Sequence, residues 1–352
     1  MPISSRSTTP YFGRSYSLEL TPAGGPAAGE TIIITSDQFE PNALRISFDV
    51  SQVAFEAFWT AEIVIYNCDG SFTTSSGQLV NLYEAVIQEG DTVTLRAGYQ
   101  ADGEPRVIWT GPVFYTVHDR LDVTDQRLTI HSIVNRLTTT NNFVNTIASA
   151  LSTQYEQALQ IAKESQTPFQ INAPQLQKLT AKSPCETIFF GNPHHYLKAL
   201  ADQNDLLSWF DSKGWNTDDA LQQPIGDLVA TYGPATPLDS SPTNLPDGTT
   251  LSLIGQPQQV QFGVDFRVLL DNRVQINPPL PRVGVQRQAI RQAAIAYPLG
   301  AFPPLPLRDS YVVVGVRFIG DTRGNAWYLD ITGRTPILSA ATMIGIGQSQ
   351  QN

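Results

Sequence analysis

Cysteine is nearly absent: Cys68 and Cys185 are the two in 352 residues. Two thiols cannot build the disulfide framework of a small secreted scaffold, nor fill a four-ligand zinc site by themselves. Reduced thiols are the expectation, as in a chain made in a reducing compartment. Histidine is also scarce, with four residues. The adjacent pair His194-His195 is their one cluster, and neighbours on a helix point about 100° apart, so they do not converge on a metal as an i, i+4 pair does. His131 sits on an alternating strand, where solvent or an interface is expected. No uncharged apolar run approaches the roughly 20 residues that cross a bilayer. Met1–Arg14 lacks the apolar centre of a secretion signal. The expectation is therefore synthesis in a cytoplasm and no membrane insertion.

Charge is thin as well. Charged residues make up 15% of the chain, against about 25% in ordinary globular domains. The surface must lean on Ser, Thr, Asn, Gln and backbone, which suits a chain whose surface is used in contacts with other chains. Lys and Arg number 22 against 32 acids, a net charge of −10. This balance lacks the basic stripe that a nucleic-acid binder needs. No G-x-S-x-G, H-E-x-x-H, P-loop or dinucleotide fingerprint occurs. The remaining catalytic candidates are carboxylate pairs of the glycosidase kind, Asp218-Asp219 and Asp119 near Asp122. Both lie in turn-like contexts, where Asp is favoured for bonding its own backbone. Trp59, Trp109, Trp209, Trp215 and Trp327 could form a sugar platform, although Trp109 and Trp327 lie on strands, where core packing is the default. No catalytic residue, metal or cofactor is expected.

What the chain does have is strands. From Ala61 to Ile133 run A-E-I-V-I-Y-N-C-D, G-D-T-V-T-L-R-A-G-Y, R-V-I-W-T-G-P-V-F-Y and Q-R-L-T-I-H-S-I, each short, β-branched or aromatic, and closed by turn residues. Asp69-Gly70 and Asp102-Gly103 are hairpin signals, and Gly90-Asp91 is a further turn. Alternation, with Leu128 and Ile130 against Arg127, Thr129 and His131, buries one face and wets the other. Tyr16–Leu20, Thr31–Thr35 and Leu44–Val50 complete the first set. The fold class expected is mainly β with an α+β insert, built on two small antiparallel β-barrel modules related to each other.

In chain order, residues 1–14 form a polar arm and 15–136 the first β-barrel module. Residues 137–232 form an α+β middle domain with a long helix over Asn141–Glu164, where Phe143, Ile147, Leu151, Tyr155, Leu159 and Ala162 recur every three or four positions. Thr140 or Asn141 caps it. Glu186–Phe190 reads as a strand, His194–Phe210 as a second helix and Asn216–Tyr232 as loop. Residues 233–248 are a Pro-rich linker. Residues 249–346 hold the second β-barrel module, with a short helix over Val285–Tyr297, and 347–352 are a tail. Val113–Ile133 and Val312–Ile331 share one plan: an alternating strand, a polar turn with Asp and Arg, and a second alternating strand ending in Ile.

These modules resemble the baseplate hub proteins of tailed bacteriophages with contractile tails, and the hub part of contractile injection system spikes. The residues that carry the resemblance are Ile65–Asn67, Gly90–Tyr99 (G-D-T-V-T-L-R-A-G-Y), Trp109–Phe114 (W-T-G-P-V-F), Leu253–Asp271 and Gly320–Tyr328 (G-D-T-R-G-N-A-W-Y). Asn272-Arg273 departs from the pattern, which has a proline-containing turn there. Within these motifs the structural turn and barrel positions are Gly90, Asp91, Gly98, Tyr99, Gly111, Gly263, Gly320, Asp321, Arg323, Gly324 and Trp327. The resemblance implies a virion protein of the tail baseplate, assembled in the host bacterial cytoplasm and without enzymatic activity. It implies a homotrimer whose six barrels form a pseudo-hexameric ring joining a hexameric tail tube protein to a trimeric central spike protein, beside other baseplate proteins. Genomic DNA would pass the lumen without specific binding, repelled by lining carboxylates. Two competing readings are a carbohydrate- or receptor-binding tail protein and a cell-wall hydrolase with Asp218 or Asp219 as acid.

Overall fold

The computed structural model describes residues 13–23, 30–37, 44–54, 58–68, 71–73, 79–81, 87–99, 105–120, 125–134, 142–172, 178–219, 226–234, 249–260, 263–285 and 310–335. Short alternating runs dominate it, and they form strands. In chain order these are β1 (Arg14–Thr21), β2 (Ile32–Asp37), β3 (Arg45–Val53), β4 (Thr60–Tyr66), β5 (Ser71–Thr73), β6 (Leu79–Asn81), β7 (Thr92–Tyr99), β8 (Arg106–Arg120) and β9 (Gln126–Ile133). A mixed stretch follows: β10 (Val144–Ala148), α1 (Gln154–Glu164), β11 (Gln170–Asn172), β12 (Thr187–Gly191), α2 (Pro193–Gln203), β13 (Leu207–Asp211) and β14 (Gly214–Asp218). The chain then returns to β15 (Leu228–Pro234), β16 (Thr249–Val260), β17 (Gly263–Leu269), β18 (Arg282–Val285), β19 (Tyr311–Asp321) and β20 (Trp327–Arg334). The fold is mainly β with a small α-containing insert.

Thirteen strands join in one sheet, in the order β18-β15-β16-β17-β20-β19-β3-β4-β9-β8-β7-β1-β2. Strands from both ends of the chain are thus hydrogen-bonded across a single seam, where β19 runs antiparallel to β3 from Gly315↔Val53 to Asp321↔Ser47. β18 also pairs with β19, so the pairings of β15–β20 return on themselves. In the first half the sheet curls, and the Tyr16 hydroxyl on β1 donates to the Leu44 carbonyl just before β3 at 2.9 Å. Period-two alternation dictates the two faces. Ile46, Phe48, Val50, Ile63, Ile65, Leu128, Ile130, Val316, Phe318, Leu329 and Ile331 point into one continuous apolar core that spans both halves of the chain. Most of the intervening positions meet solvent, whereas Val64 and Thr129 are buried. Burying each such side chain contributes roughly 1.5–3 kcal/mol, so the sheet and its core stabilise each other.

The insert has a core of its own, with Val144, Ala158, Ile161, Leu179, Phe189, Leu197, Phe210 and Trp215. Here the structure corrects the sequence reading. The long helix expected over Asn141–Glu164 is a strand, β10, followed by a turn and an eleven-residue helix, α1. Leu151 adopts φ 67° in that turn, which no helix accommodates. Of the expected six-residue stripe, Phe143, Ile147, Leu151 and Leu159 are exposed, while Tyr155 is partly buried. The helix buries Gln157, Ala158 and Ile161, and of the expected stripe Ala162. Its cap is Thr153: the side chain accepts from Glu156 N, and the Glu156 carboxylate accepts from Thr153 N, a reciprocal capping box. The expected cap positions 140 and 141 lie outside the described residues.

Helix α2 ends at Gln203, and β13 follows where helix was expected to Phe210. Asn216–Tyr232, expected as loop, contains the end of β14 and the start of β15. Glu186–Phe190 is a strand as expected, β12. Of the arm expected over 1–14, the Pro-rich linker over 233–248 and the helix over Val285–Tyr297, the described ends are strand: Arg14 begins β1, residues 233–234 end β15 and Val285 ends β18. The rest of each, the hairpin residues Asp69-Gly70 and Asp102-Gly103, and the terminal tail lie outside the described residues. Among the described residues no helix is long and apolar enough to cross a membrane. Cys68 is buried and Cys185 exposed, and they do not form a disulfide.

Candidate functional site

The turn between β19 and β20 gathers several of the sequence-flagged positions. Asp321 Oδ1 accepts from the backbone of Arg323 and Gly324, both at 2.9 Å. Its carboxylate also takes a two-pronged bond from Arg45 on β3, Nε to Oδ1 at 3.1 Å and Nη2 to Oδ2 at 2.7 Å. Burial pushes the Asp321 carboxyl up, but the bonds from Arg45, Arg323 and Gly324 outweigh it and hold the group below its ordinary range. The bond to Asp321 in turn raises Arg45. Arg14 reaches the turn from β1 and donates to the Asp321 and Gly324 carbonyls. Thr322 latches it to β3 twice: its hydroxyl accepts from Ile46 N at 3.0 Å, and its N–H donates to Ile46 O at 2.9 Å. Trp327 is buried below, edge-on to Phe48 at 5.3 Å and 5.6 Å from the Arg14 guanidinium. Asp321, Gly324 and Trp327 are therefore parts of one junction between the beginning and the end of the chain. The Arg323 side chain points outward.

The other flagged positions are separate packing points. Gly320 lies over the Phe48 ring, whose nearest atom would be 2.2 Å from an added Cβ. Gly263 sits against the carbonyl of Gly333, 1.9 Å from such a Cβ, so backbone alone fits there. Gly90 and Asp91 form the turn before β7: Asp91 is buried and accepts from Ala23 N and Gln88 N, each at 2.8 Å. Gly98 and the buried Tyr99 end β7, and Gly111 packs on β8 between Trp109, Ser132 and Val134. Asn272, the departure from the expected motif, is buried and donates to the Ala97 carbonyl at 2.9 Å, tying the loop after β17 to β7.

Sequence reasoning missed the solvent face of the sheet. Across eight neighbouring strands, β16-β17-β20-β19-β3-β4-β9-β8, this face carries arginines that each meet a carboxylate on the adjacent strand. Arg267 binds Asp330 through Nε at 2.6 Å and Nη2 at 2.9 Å. Arg127 binds Asp119 at 2.7 and 2.9 Å. Arg317 donates from Nε to Asp49 Oδ1 at 2.8 Å and from Nη2 to Oδ2. Arg45 holds Asp321 as above, and Arg334 lies 3.9 Å from Asp265. These bonds raise Arg267 and Arg317, with the carboxylate hydrogen bond the largest cause in each. Asp265 is raised instead, because burial outweighs Arg334 and Thr332. Asp49 and Glu62 stand directly opposite on β3 and β4. Asp49 leans on Arg317, while Glu62 lies 3.8 Å from His131, which stacks on Tyr115 at 4.3 Å. A groove of about 520 Å³ opens among these groups, lined by Asp49, Glu62, Tyr115, His131 and Arg317. The signal was available: D-F-R at Asp265–Arg267 places both charges on one face of a strand, and cross-strand partners of opposite sign stabilise a sheet.

The catalytic candidates do not converge. Asp218 is fully buried and accepts from Leu280 N at 2.6 Å. Asp219 pairs with Lys178 at 3.2 Å and Asp119 with Arg127; Asp122 lies outside the described residues. The His194 and His195 rings are 6.1 Å apart, and burial, first, then the neighbouring His195 and Lys198 lower His194. Among the described residues no group of three or more His, Cys, Asp or Glu side chains is placed to hold a metal. All five tryptophans are buried, so none offers the surface platform of a sugar-binding site.

No protein-family model matches the sequence, and no curated protein matches it. Solved structures do. The prophage MuSo2 43 kDa tail protein from Shewanella oneidensis aligns over 92% of this chain and 98% of its own, with TM-score 0.53 and 12% identity. A tail protein from Neisseria meningitidis MC58 aligns over 92% and 97%, with TM-score 0.50 and 12% identity. The chain has the fold of phage tail proteins. Both alignments span nearly the whole of each tail protein, so the likeness covers the sheet and the insert together. The resemblance read from the sequence motifs is borne out at the level of fold.

Proposed function

We propose that this chain is a structural subunit of a phage tail, a baseplate hub that forms a homotrimeric, pseudo-hexameric ring between a hexameric tail tube and a trimeric central spike. One observation carries the proposal. The strands β3-β4-β9-β8 and the strands β16-β17-β20-β19 have the same order, first-second-fourth-third, with every pairing antiparallel. In this reading residues 15–136 and 249–346 are two related barrel modules, each with one such four-strand unit. The seam β19–β3 places the third strand of one unit against the first strand of the other. Repeating that junction between copies, with β8 of one chain against β16 of the next, lets three chains present six equivalent units. Closed rotational symmetry of this head-to-tail kind makes a ring.

The low charge content and the exposed apolar face of the insert support an assembly role. There Ile147 lies opposite Ile188 on β10 and β12, and Phe143 meets Phe190 edge-on at 4.9 Å. The partners in this reading are further copies of the chain, the tube, the spike and neighbouring baseplate proteins, in a virion assembled in the host cytoplasm, with DNA passing through unbound. Light scattering on the purified chain, alone and with its tube and spike partners, is expected to give three times the 38.6 kDa chain mass. Electron micrographs are expected to show three-fold rings with six wall segments. A monomer under all of these conditions would refute the ring.

A further inference from the structure

The insert meets the large sheet through one face of the small sheet β11-β14-β13. Cross-strand partners share a face, so the register of β13 and β14 sorts their side chains into two sets. Phe210 and Trp215, opposite each other, belong to the insert's own core. Trp209 opposite Asn216, and Leu207 opposite Asp218, form the other face. That face is turned to the body of the molecule. Trp209 is buried in the core of the large sheet and Leu207 packs against it. The fully buried Asp218 accepts from Leu280 N at 2.6 Å. Among the described residues of the insert, Trp209 is the one apolar side chain buried in that core. The joint is thus narrow, and it is polar where a permanent joint would be apolar. Trp209 Nε1 and Asn216 Oδ1 are closed to solvent and have no hydrogen-bond partner. The Asn216 amide N–H donates within its own strand, to Gly214 O. Each unpartnered atom is a cost of docking that water removes on release.

We propose that the insert is a hinged domain with a docked and a released placement, latched in the docked one by Asp218 on Leu280. An interface between domains that is neither large nor apolar leaves them free to move relative to each other. The insert keeps Phe210, Trp215 and the rest of its own core in either placement. The loop that receives the latch, residues 270–281, also holds the first half of the chain. Asn272 donates to the Ala97 carbonyl at 2.9 Å, and Gln275 donates to the Val107 carbonyl. Release therefore frees one end of a loop whose other bonds tie β7 and β8 to β17. It also carries the exposed Ile147, Ile188 and Phe190 to a new position while both cores stay closed.

The test uses the full chain with one spin label on the exposed Cys185 of the insert and one on E62C in the large sheet; Cys68 is buried. Labelled chains are diluted in unlabelled parent, and pulsed dipolar spectroscopy reads the distance between insert and sheet. D218A removes the latch. It is expected to raise the fraction of chains at a second distance by about tenfold, the scale of a lost bond to a charged group. N216L removes the unpartnered carbonyl at nearly constant volume and is expected to lower that fraction by about the same factor. Hydrogen exchange is expected to rise in D218A over 207–218 and 270–281 together, with α1 as protected as in the parent. A D218A whose distances match the parent's overturns the proposal. So does a D218A in which α1 loses protection with the joint, since the insert would then unfold and not swing. An N216L that raises the second distance overturns it as well. If D218A lacks the parent's circular dichroism spectrum, N216L decides: slower exchange over 207–218 supports the hinge, and unchanged or faster exchange overturns it.

Discussion

Two carboxylates of the same sheet are driven in opposite directions, and the difference has a sign that can be measured. Asp321 is held low by Arg45 and by two backbone N–H groups. Its contribution is fully present above the ordinary carboxyl pKa of about 4 and is lost as pH falls through the lower folded value. D321N is therefore expected to lower stability at pH 7, by about 1 kcal/mol once the exposure of Arg45 is discounted, and to flatten the acid limb of a stability–pH curve. Asp265 is raised by burial, and its Oδ1 is buried without a bonding partner, as is the Arg334 Nη1 3.9 Å away. Its folded state favours the protonated form, so ionisation costs stability as pH rises through the raised value. D265N is expected to melt at or above the parent temperature at pH 7, with the difference closing in acid. Thermal melts from pH 3 to 8 check both, and a destabilised D265N at pH 7 would contradict the burial argument. Glycine gives a third residue-scale prediction. G320A drives a methyl into the Phe48 ring and is expected to cost about 1–3 kcal/mol. G263A meets a backbone carbonyl that cannot turn aside, so urea unfolding should rank it the worse of the two.

At the scale of elements, legibility followed solvent. Strands with one wet face announced themselves: β3, β9 and β20 alternate, and their positions were read from that pattern alone. The strand β14 did not, because G-W-N-T-D is buried on both faces and shows no alternation. The insert misled more sharply. Phe143, Ile147 and Leu151 have helical spacing, but Ile147 is on the exposed face of a strand whose other face packs on α1, and Phe143 and Leu151 are exposed just outside its ends. Spacing records a period without recording which face is buried. The turn at Asp321–Gly324 was legible as local chemistry. Its partner Arg45, 276 residues away, was not, and neither was Asn272 with its acceptor Ala97, 175 residues away. Within the insert, α1 depends on its cap more than on its 11-residue length, since helices this short are marginal alone. T153A is expected to remove about 1 kcal/mol from the insert. Hydrogen exchange should show the protection loss confined to α1 and the strands β10 and β11 against it; a loss spread evenly over the sheet would mean that the insert and the sheet unfold as one.

For the whole molecule the decisive feature is the seam, because chain ends that are distant in sequence share one sheet and one core there. The continuous core predicts that both halves unfold together, since neither can expose its side of the β19–β3 ladder without stripping the other. The Arg317–Asp49 pair bridges that seam with both side chains part-exposed, so its own contribution is modest. Reversing one partner is more telling than deleting it. R317D sets a carboxylate against Asp49 and Asp330 at the point where the halves meet, and like charges at such range on a sheet are destabilising. It is expected to lower the unfolding midpoint by on the order of 1 kcal/mol, and D49R to do the same. The exchange R317D/D49R is expected to recover most of the loss and leave the repulsion between position 317 and Asp330. Adding D330R should recover that remainder, at the expense of Arg267. Tryptophan fluorescence and far-ultraviolet circular dichroism, followed together through urea unfolding, read the cycle. Coincident curves in the parent with partial rescue in the exchange support a cooperative seam. Curves that separate in the parent, or an exchange no better than the sum of its parts, would mean that the two halves are joined there without depending on each other.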